Sequence, residues 1–207
     1  MSRPKRIWYQ GACYHVMGRG NRRSAIFKTH EDYMLFLMLL RQAQEKYPFL
    51  LHTYCLMTNH FHLEVTTKTD PIWKVMHAVM NNYARNFNQK NGHVGHLFDS
   101  RYTSCLIENE VYFLEVRRYI HLNPVKAAMV REPLAYRYSS YRDYVSDENR
   151  EESKLLDTAR VLNAFRGNPR EQYRMFVEGK ISHAEQELLI QKDMKKDDNW
   201  LPWYLYR

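Results

Sequence analysis

Residues 54–65, YCLMTNHFHLEV, leave this chain few ways to fold. Two runs alternate with the period of a strand on either side of Thr58-Asn59, a pair that can turn a hairpin though it is a less specific turn signal than Asn-Gly. In the second run a two-residue period sets His60, His62 and Glu64 on one face and Phe61, Leu63 and Val65 on the other. The apolar face needs a core to cover it. The other face presents two imidazoles side by side. Neutral imidazoles suit a divalent transition metal, and a carboxylate or carbonyl oxygen nearby widens the choice toward Mg or Mn.

A His-x-His pair on a strand says little alone. A second stretch, VRRYIHLNPV at residues 116–125, adds to it. Tyr119 and Asn123 stand four apart, so on a helix they project from one face. Pro124 ends or kinks that helix and leaves Asn123 in its last turn, where an amide oxygen can point into a site. Two histidines, an amide oxygen and a phenol are the parts of a metal-assisted nucleophilic site.

The hydrophobic strand ending NHFHL, followed about 57 residues later by RYIHLNPVKA, resembles the single-tyrosine HUH transposases of the IS200/IS605 kind, and more closely the REP-associated tyrosine transposases. The likeness spans roughly residues 8–145. It implies that His60 and His62 are metal ligands, Tyr119 the nucleophile and Asn123 the third protein ligand, with Mg or Mn as the ion. Thr58 stands where the family usually has proline, a change to the turn that removes no ligand atom. The resemblance further implies a single-strand endonuclease and strand transferase that forms a 5′-phosphotyrosine on hairpin-forming DNA, imperfect palindromes or REP-like hairpins. Two alternatives stay open: a catalytically silent, domesticated DNA-binding protein, and a relaxase or replication-initiator nuclease. Tyr112, seven residues before Tyr119, keeps a second phenol on roughly the same side of the helix.

Charge agrees with a polyanionic partner. The net charge is +8, and residues 1–145 hold 20 Lys/Arg against 11 Asp/Glu while residues 146–207 hold 11 against 12. The first 28 residues carry seven basic side chains and no acid. Within them GRGNRR, residues 18–23, is either a solvated turn or a loop whose glycines let the backbone approach phosphate while Arg19, Arg22 and Arg23 supply charge. The family likeness favours the second. It also sets Arg101 at a phosphate and Tyr102 under a base, although packing is an equal reading of Tyr102 and of Phe98. Arg117 and Arg118 flank Tyr119. Asn82 and Arg85 could touch DNA or simply face solvent, and His93 and His96 read as loop residues.

The order strand, helix, hairpin, helix, strand, helix predicts an α+β fold with helices packed on one face of an antiparallel sheet. The resemblance implies an RRM-like or ferredoxin-like arrangement. The expected elements are a strand at 12–18, helices at 31–46 with Thr29 as N-cap, after Asp70-Pro71 and at 109–123, and a strand at 103–107. An HUH domain over 1–145 and a helical C-terminal extension over 146–207 are expected, with helices at 155–165, 169–178 and 182–195. Trp200, Trp203, Tyr204 and Tyr206 at the end are expected to pack back on the domain. Three widely spaced cysteines, no apolar run of membrane length and no signal-peptide core predict a cytoplasmic, nucleoid-associated protein. Monomer and homodimer both remain open.

Overall fold

A computed structural model describes residues 7–148, 150–165 and 167–179. Strands β2 (Phe49–Met57) and β3 (His60–Thr67) form the hairpin that the alternation predicts, with Met57 opposite His60 at its closed end. Strand β1 (Cys13–Arg19) pairs antiparallel with β3 on one side and with β4 (Thr103–Ile107) on the other, giving the order β2-β3-β1-β4. Helix α1 (His30–Lys46) follows β1 and α2 (Ile72–Asn91) precedes β4, so the connectivity is that of a ferredoxin-like βαββαβ unit. The histidine strand is therefore internal to the sheet.

Local chemistry sets the helix ends. The Asp32 carboxylate accepts the N–H groups of Lys28 and Thr29 at 2.8 and 3.0 Å, which fixes the first turn of α1. Pro71 stands just before α2, and Gly92 ends it in the left-handed region at φ 59°. Both helices press apolar side chains, among them Phe36, Leu40, Val75, Val79 and Tyr83, against Tyr14, Val16, Phe61, Leu63 and Val65 of the sheet.

The third long helix, α3 (Glu110–Lys126), lies on the opposite face. Phe113, Val116 and Ile120 pack there with Cys13, Cys55, Met57 and Ile107. The expectation of helices on one face thus holds for α1 and α2 and is corrected for α3. The reason lies in the alternation itself: between the polar residues of the second face stand apolar ones, and they too need a cover. A bulge at His52, where Leu51 pairs with Val65 but Thr53 pairs with Glu64, turns both His52 and Thr53 toward α3.

The chain then closes the outer edge of β2. Leu56 donates its N–H to the Tyr138 carbonyl at 2.9 Å, Ser140 donates to Tyr54 at 3.0 Å, and Asp157 donates to Leu51 at 2.8 Å. These bonds occupy groups that would otherwise template another strand. Short helices α4 (Tyr141–Val145) and α5 (Ala159–Leu162) and the longer α6 (Pro169–Glu178) follow, and Tyr173 and Val177 of α6 join the core beneath α3. Helix α6 matches its expected bounds. The expected helix at 155–165 shrinks to α5 because Asp157 is drawn onto the β2 edge. Among the described residues, side chains of α4, α5 and α6 share a core cluster with α3. The helix expected at 182–195 and the aromatic end lie outside the described residues. No described helix is long and apolar enough to cross a membrane.

Candidate active site

Strand β3 delivers His60 and His62 to the same face, and α3 lays Tyr119 against His62. The ring centroids of His60 and His62 are 5.0 Å apart, and the Tyr119 ring meets His62 edge-on at 5.6 Å. The 57-residue gap in sequence thus closes to ring contact. Beside the histidines a cleft of about 260 Å³ is lined by Gly18, Arg19, His60, His62, Asp99 and Arg101, among others.

The two imidazoles are held at Nδ1. Asn59 donates its side-chain amide to the Arg23 carbonyl at 3.2 Å, which turns its oxygen to His60 Nδ1 at 2.7 Å. An amide oxygen can only accept, so His60 donates from Nδ1 and keeps a bare Nε2 lone pair. His62 Nδ1 lies 3.0 Å from His15 Nε2, with the two rings stacked. His62 Nε2 is buried without a hydrogen-bond partner. An orphaned ring nitrogen beside a second bare one is what a divalent ion would use, so the donor set fits a metal. Among the described residues no group of three His, Cys, Asp or Glu side chains is arranged to hold an ion. Further ligands would have to be amide, phosphate or water oxygens.

Burial keeps these rings neutral. It pushes His60 down to about 4, with Arg19 adding to the effect, and pushes His62 well below its ordinary value, with His60 and His15 adding. Burial also raises the Tyr119 phenol above its ordinary value, while the Asn123 side chain hydrogen-bonds to it and opposes the rise. The Lys126 ammonium sits 5.0 Å above the Tyr119 ring. Asn123 also donates from Nδ2 to the Tyr119 carbonyl at 3.2 Å. Helix α3 runs through Pro124 to Lys126, so Asn123 opens its last turn rather than closing it.

A buried ion pair fixes the helix on the strand. Arg117 and Glu64 meet at 2.9 Å, both fully buried, and Arg117 Nε donates to Thr53 at 2.8 Å while its guanidinium lies 4.1 Å over Phe113. Burial works against the charge on Arg117, but Glu64 together with Tyr144, Tyr173 and Cys13 outweighs it. Glu64 is two residues from His62 and Arg117 two from Tyr119, so this pair sets their mutual register.

The basic loop reaches the site from the other side. Gly20 donates its N–H to the Asn59 carbonyl at 2.8 Å, pinning the loop to the turn that starts the histidine strand. A Cβ at Gly20 would come within 2.1 Å of the Ser24 carbonyl oxygen, so the close turn requires glycine. Arg22 and Arg23 are exposed and adopt φ of 52° and 60°, an unusual pair of left-handed arginines. Arg19 pairs with Asp99 at 2.9 Å at the cleft wall, and Arg101 lines the cleft with its side chain exposed.

Three expected DNA contacts are corrected. Arg117 is committed to Glu64. Arg118, 2 % exposed, donates to the carbonyls of Val177 and Gly179 at 3.3 and 2.6 Å and caps α6. Tyr102 is 5 % exposed and belongs to the core under α1 and α2, with Phe98 packed against it. In each case burial won over the charge or aromaticity that drew attention. His93, His96, Asn82 and Arg85 face solvent. Sequence reasoning missed His15 and Asn59. His15 sits at an alternating position of β1, but only the β1–β3 register, which pairs Met17 with His62 and His15 with Glu64, brings it to the site.

Residues 9–123 match the family described as transposase, IS200 like. The chain belongs to that family. Membership makes it a transposase-like enzyme acting on DNA. Among solved structures, a REP-associated tyrosine transposase bound to a REP hairpin aligns with 77 % of this chain and 94 % of its own, at 18 % identity and a TM-score of 0.61. It shares the fold of the sheet and its helices. A candidate transposase from Deinococcus radiodurans aligns with 57 % of this chain and 95 % of its own, at 17 % identity and a TM-score of 0.41. No curated protein matches the chain in sequence.

Proposed function

We propose that the protein is a metal-dependent endonuclease and strand transferase that acts on hairpin-forming single-stranded DNA through a covalent bond to Tyr119. The observation that supports this reading is the ring contact of Tyr119 with His62, which itself adjoins His60, beside a cleft lined by Arg19 and Arg101. His60 and His62 would hold Mg or Mn through Nε2, with Asn123, hydrogen-bonded to Tyr119, as the candidate oxygen ligand. When bound, such an ion polarises the scissile phosphate and stabilises charge on its oxygens.

The chain's own residues do the rest. Tyr119 attacks phosphorus, its phenolic oxygen forms the new bond, and the 3′ oxygen of the preceding nucleotide leaves. That sequence yields a 5′-phosphotyrosine and a free 3′-hydroxyl. Burial disfavours the phenolate at rest, whereas the Asn123 hydrogen bond favours it as the proton departs. Arg101 and Arg19 hold the phosphodiester in the cleft, and Arg22 and Arg23 grip the hairpin backbone. The structural neighbour solved with a REP hairpin supports a folded single strand as substrate.

Incubating a labelled single-stranded hairpin carrying flanking sequence with Mg or Mn tests the reading. Wild type should cleave in the flank, and a His60→Ala/His62→Ala variant of matched thermal stability should not. Equal cleavage by both would remove the histidines from the chemistry.

A further inference from the structure

Each active-site imidazole has a neighbour on Nδ1, and the two neighbours differ. Asn59 settles the tautomer of His60, because its amide is oriented by the Arg23 carbonyl. For His62 the neighbour is another imidazole, His15, 3.0 Å away and 1 % exposed, on the adjacent strand β1. Two neutral imidazoles can share that bond in two ways. If His15 donates from Nε2, then His62 carries its proton on Nε2, an N–H aimed at no acceptor in a buried site. If His62 donates from Nδ1, its Nε2 presents a lone pair that a cation can take, and no buried N–H on His62 is stranded.

We infer that His15 is a positioning residue: its Nε2 accepts the Nδ1–H of His62, which holds His62 in the tautomer whose Nε2 lone pair faces the ion. The stacking of the two rings, centroids 5.2 Å apart and planes 25° from parallel, restrains rotation of His62 about its side chain. His15 also borders Tyr119, with ring centroids 6.1 Å apart, so one side chain touches both the ligand and the proposed nucleophile. This inference rests on the proposed role of His62 as a ligand, and it assigns His15 no contact with DNA or the ion.

The test uses the full chain and two readouts. Nitrogen-15 spectra of the metal-free wild type, with His62 assigned through His62→Gln, report which ring nitrogen carries the proton. The expected result is an Nδ1–H His62, and an Nε2–H His62 overturns the inference whatever the metal does. The second readout is Mn affinity by calorimetry for wild type, His15→Phe, His15→Gln and His62→Ala. Phe keeps a ring in the stack but offers no acceptor, so affinity should fall about 10- to 100-fold. Gln restores an accepting oxygen and should recover most of that loss, which a purely packing role would not predict. If His62→Ala abolishes binding while His15→Phe binds as wild type does, the positioning role is wrong and the ligand assignment stands. If wild type and His62→Ala bind Mn equally, the ligand assignment fails, and the proton position on His62 still decides the part played by His15.

Discussion

The two faces of the sheet are built on different principles. Under α1 and α2 the core is almost wholly apolar, with Phe27, Phe61 and Tyr83 all in ring contact with Phe36. Under α3 the same sheet buries His15, His52, His62, Glu64, Arg117 and His121. Nearly every polar group there is spoken for: His52 by Thr66 at 2.9 Å, His121 by Ser140 at 3.0 Å and Tyr173 at 2.9 Å, Arg117 by Glu64. The apolar face supplies stability through burial, and the polar face trades some of it for directional contacts that fix where Tyr119 and His62 sit. Among the buried nitrogens of that face without a hydrogen-bond partner, His62 Nε2 is the one beside both His60 and Tyr119.

Acid should separate the faces most strongly. Burial holds His15 near 3 and His52 and His60 near 4, and it keeps His62 and His121 well below 6.5. Their folded values lie below the unfolded one, so between about pH 6.5 and 4 the unfolded chain binds more protons and stability falls as pH falls. The histidines together should cost several kcal/mol by pH 5, offset in part by Glu64, whose carboxyl burial pushes up to about 7 so that the folded chain takes its proton first. Urea unfolding at pH 7.5 and pH 5 measures this. A stability flat across that range would mean the polar face is not buried in its neutral form.

Next in size are single core changes, one on each face. Arg117→Leu leaves the Glu64 carboxylate buried without its partner and should cost about 3–5 kcal/mol. Adding Glu64→Leu should recover most of that stability while single-turnover cleavage stays slow, because nothing then locks α3 to β3. Phe36→Ala should cost a similar 3–5 kcal/mol. Cleavage per folded molecule should nonetheless be unchanged. Urea midpoints paired with single-turnover rates distinguish the two, and a rate loss in Phe36→Ala equal to that of the double variant would erase the contrast.

The legibility of the two faces differs too. Period-two alternation exposed the hairpin, and period-3.6 patterning with Thr29, Pro71 and Gly92 exposed α1 and α2, because each signal is local. The meeting of His60, His62 and Tyr119 was legible through paired motifs. What sequence could not supply was register. The partnership of Arg117 with Glu64, the capping of α6 by Arg118 and the arrival of His15 beside His62 all depend on which strand or helix position lies opposite which. Arg117 and Arg118 read as DNA-contacting charge beside Tyr119 for that reason, and Tyr102 read equally as a stacking platform and as core packing. Pro124 misled more mildly, since a helix can continue one turn past a proline when Ala127 closes it on the Asn123 carbonyl at 2.9 Å.

A smaller effect is expected at the exposed loop, which belongs to neither core. Replacing Arg22 and Arg23 together by Gln should weaken hairpin binding and reduce the log–log salt slope by about 1.4, at roughly 0.7 for each single-strand phosphate contact. Stability should hardly change. Fluorescence anisotropy across a salt series reads this, and an unaltered slope would place both arginines in solvent.

On the proposed function, the polar face presents Tyr119 to phosphorus. Intact-mass analysis of the protein after reaction with a metal-supplied hairpin substrate tests it most directly. Wild type should gain the mass of the 3′ cleavage fragment, and peptide mapping should find it on Tyr119. Tyr119→Phe, which keeps the ring against His62 but lacks the oxygen, should bind the hairpin and gain nothing. An adduct that survives in Tyr119→Phe, or that maps to Tyr112, would place the nucleophile elsewhere.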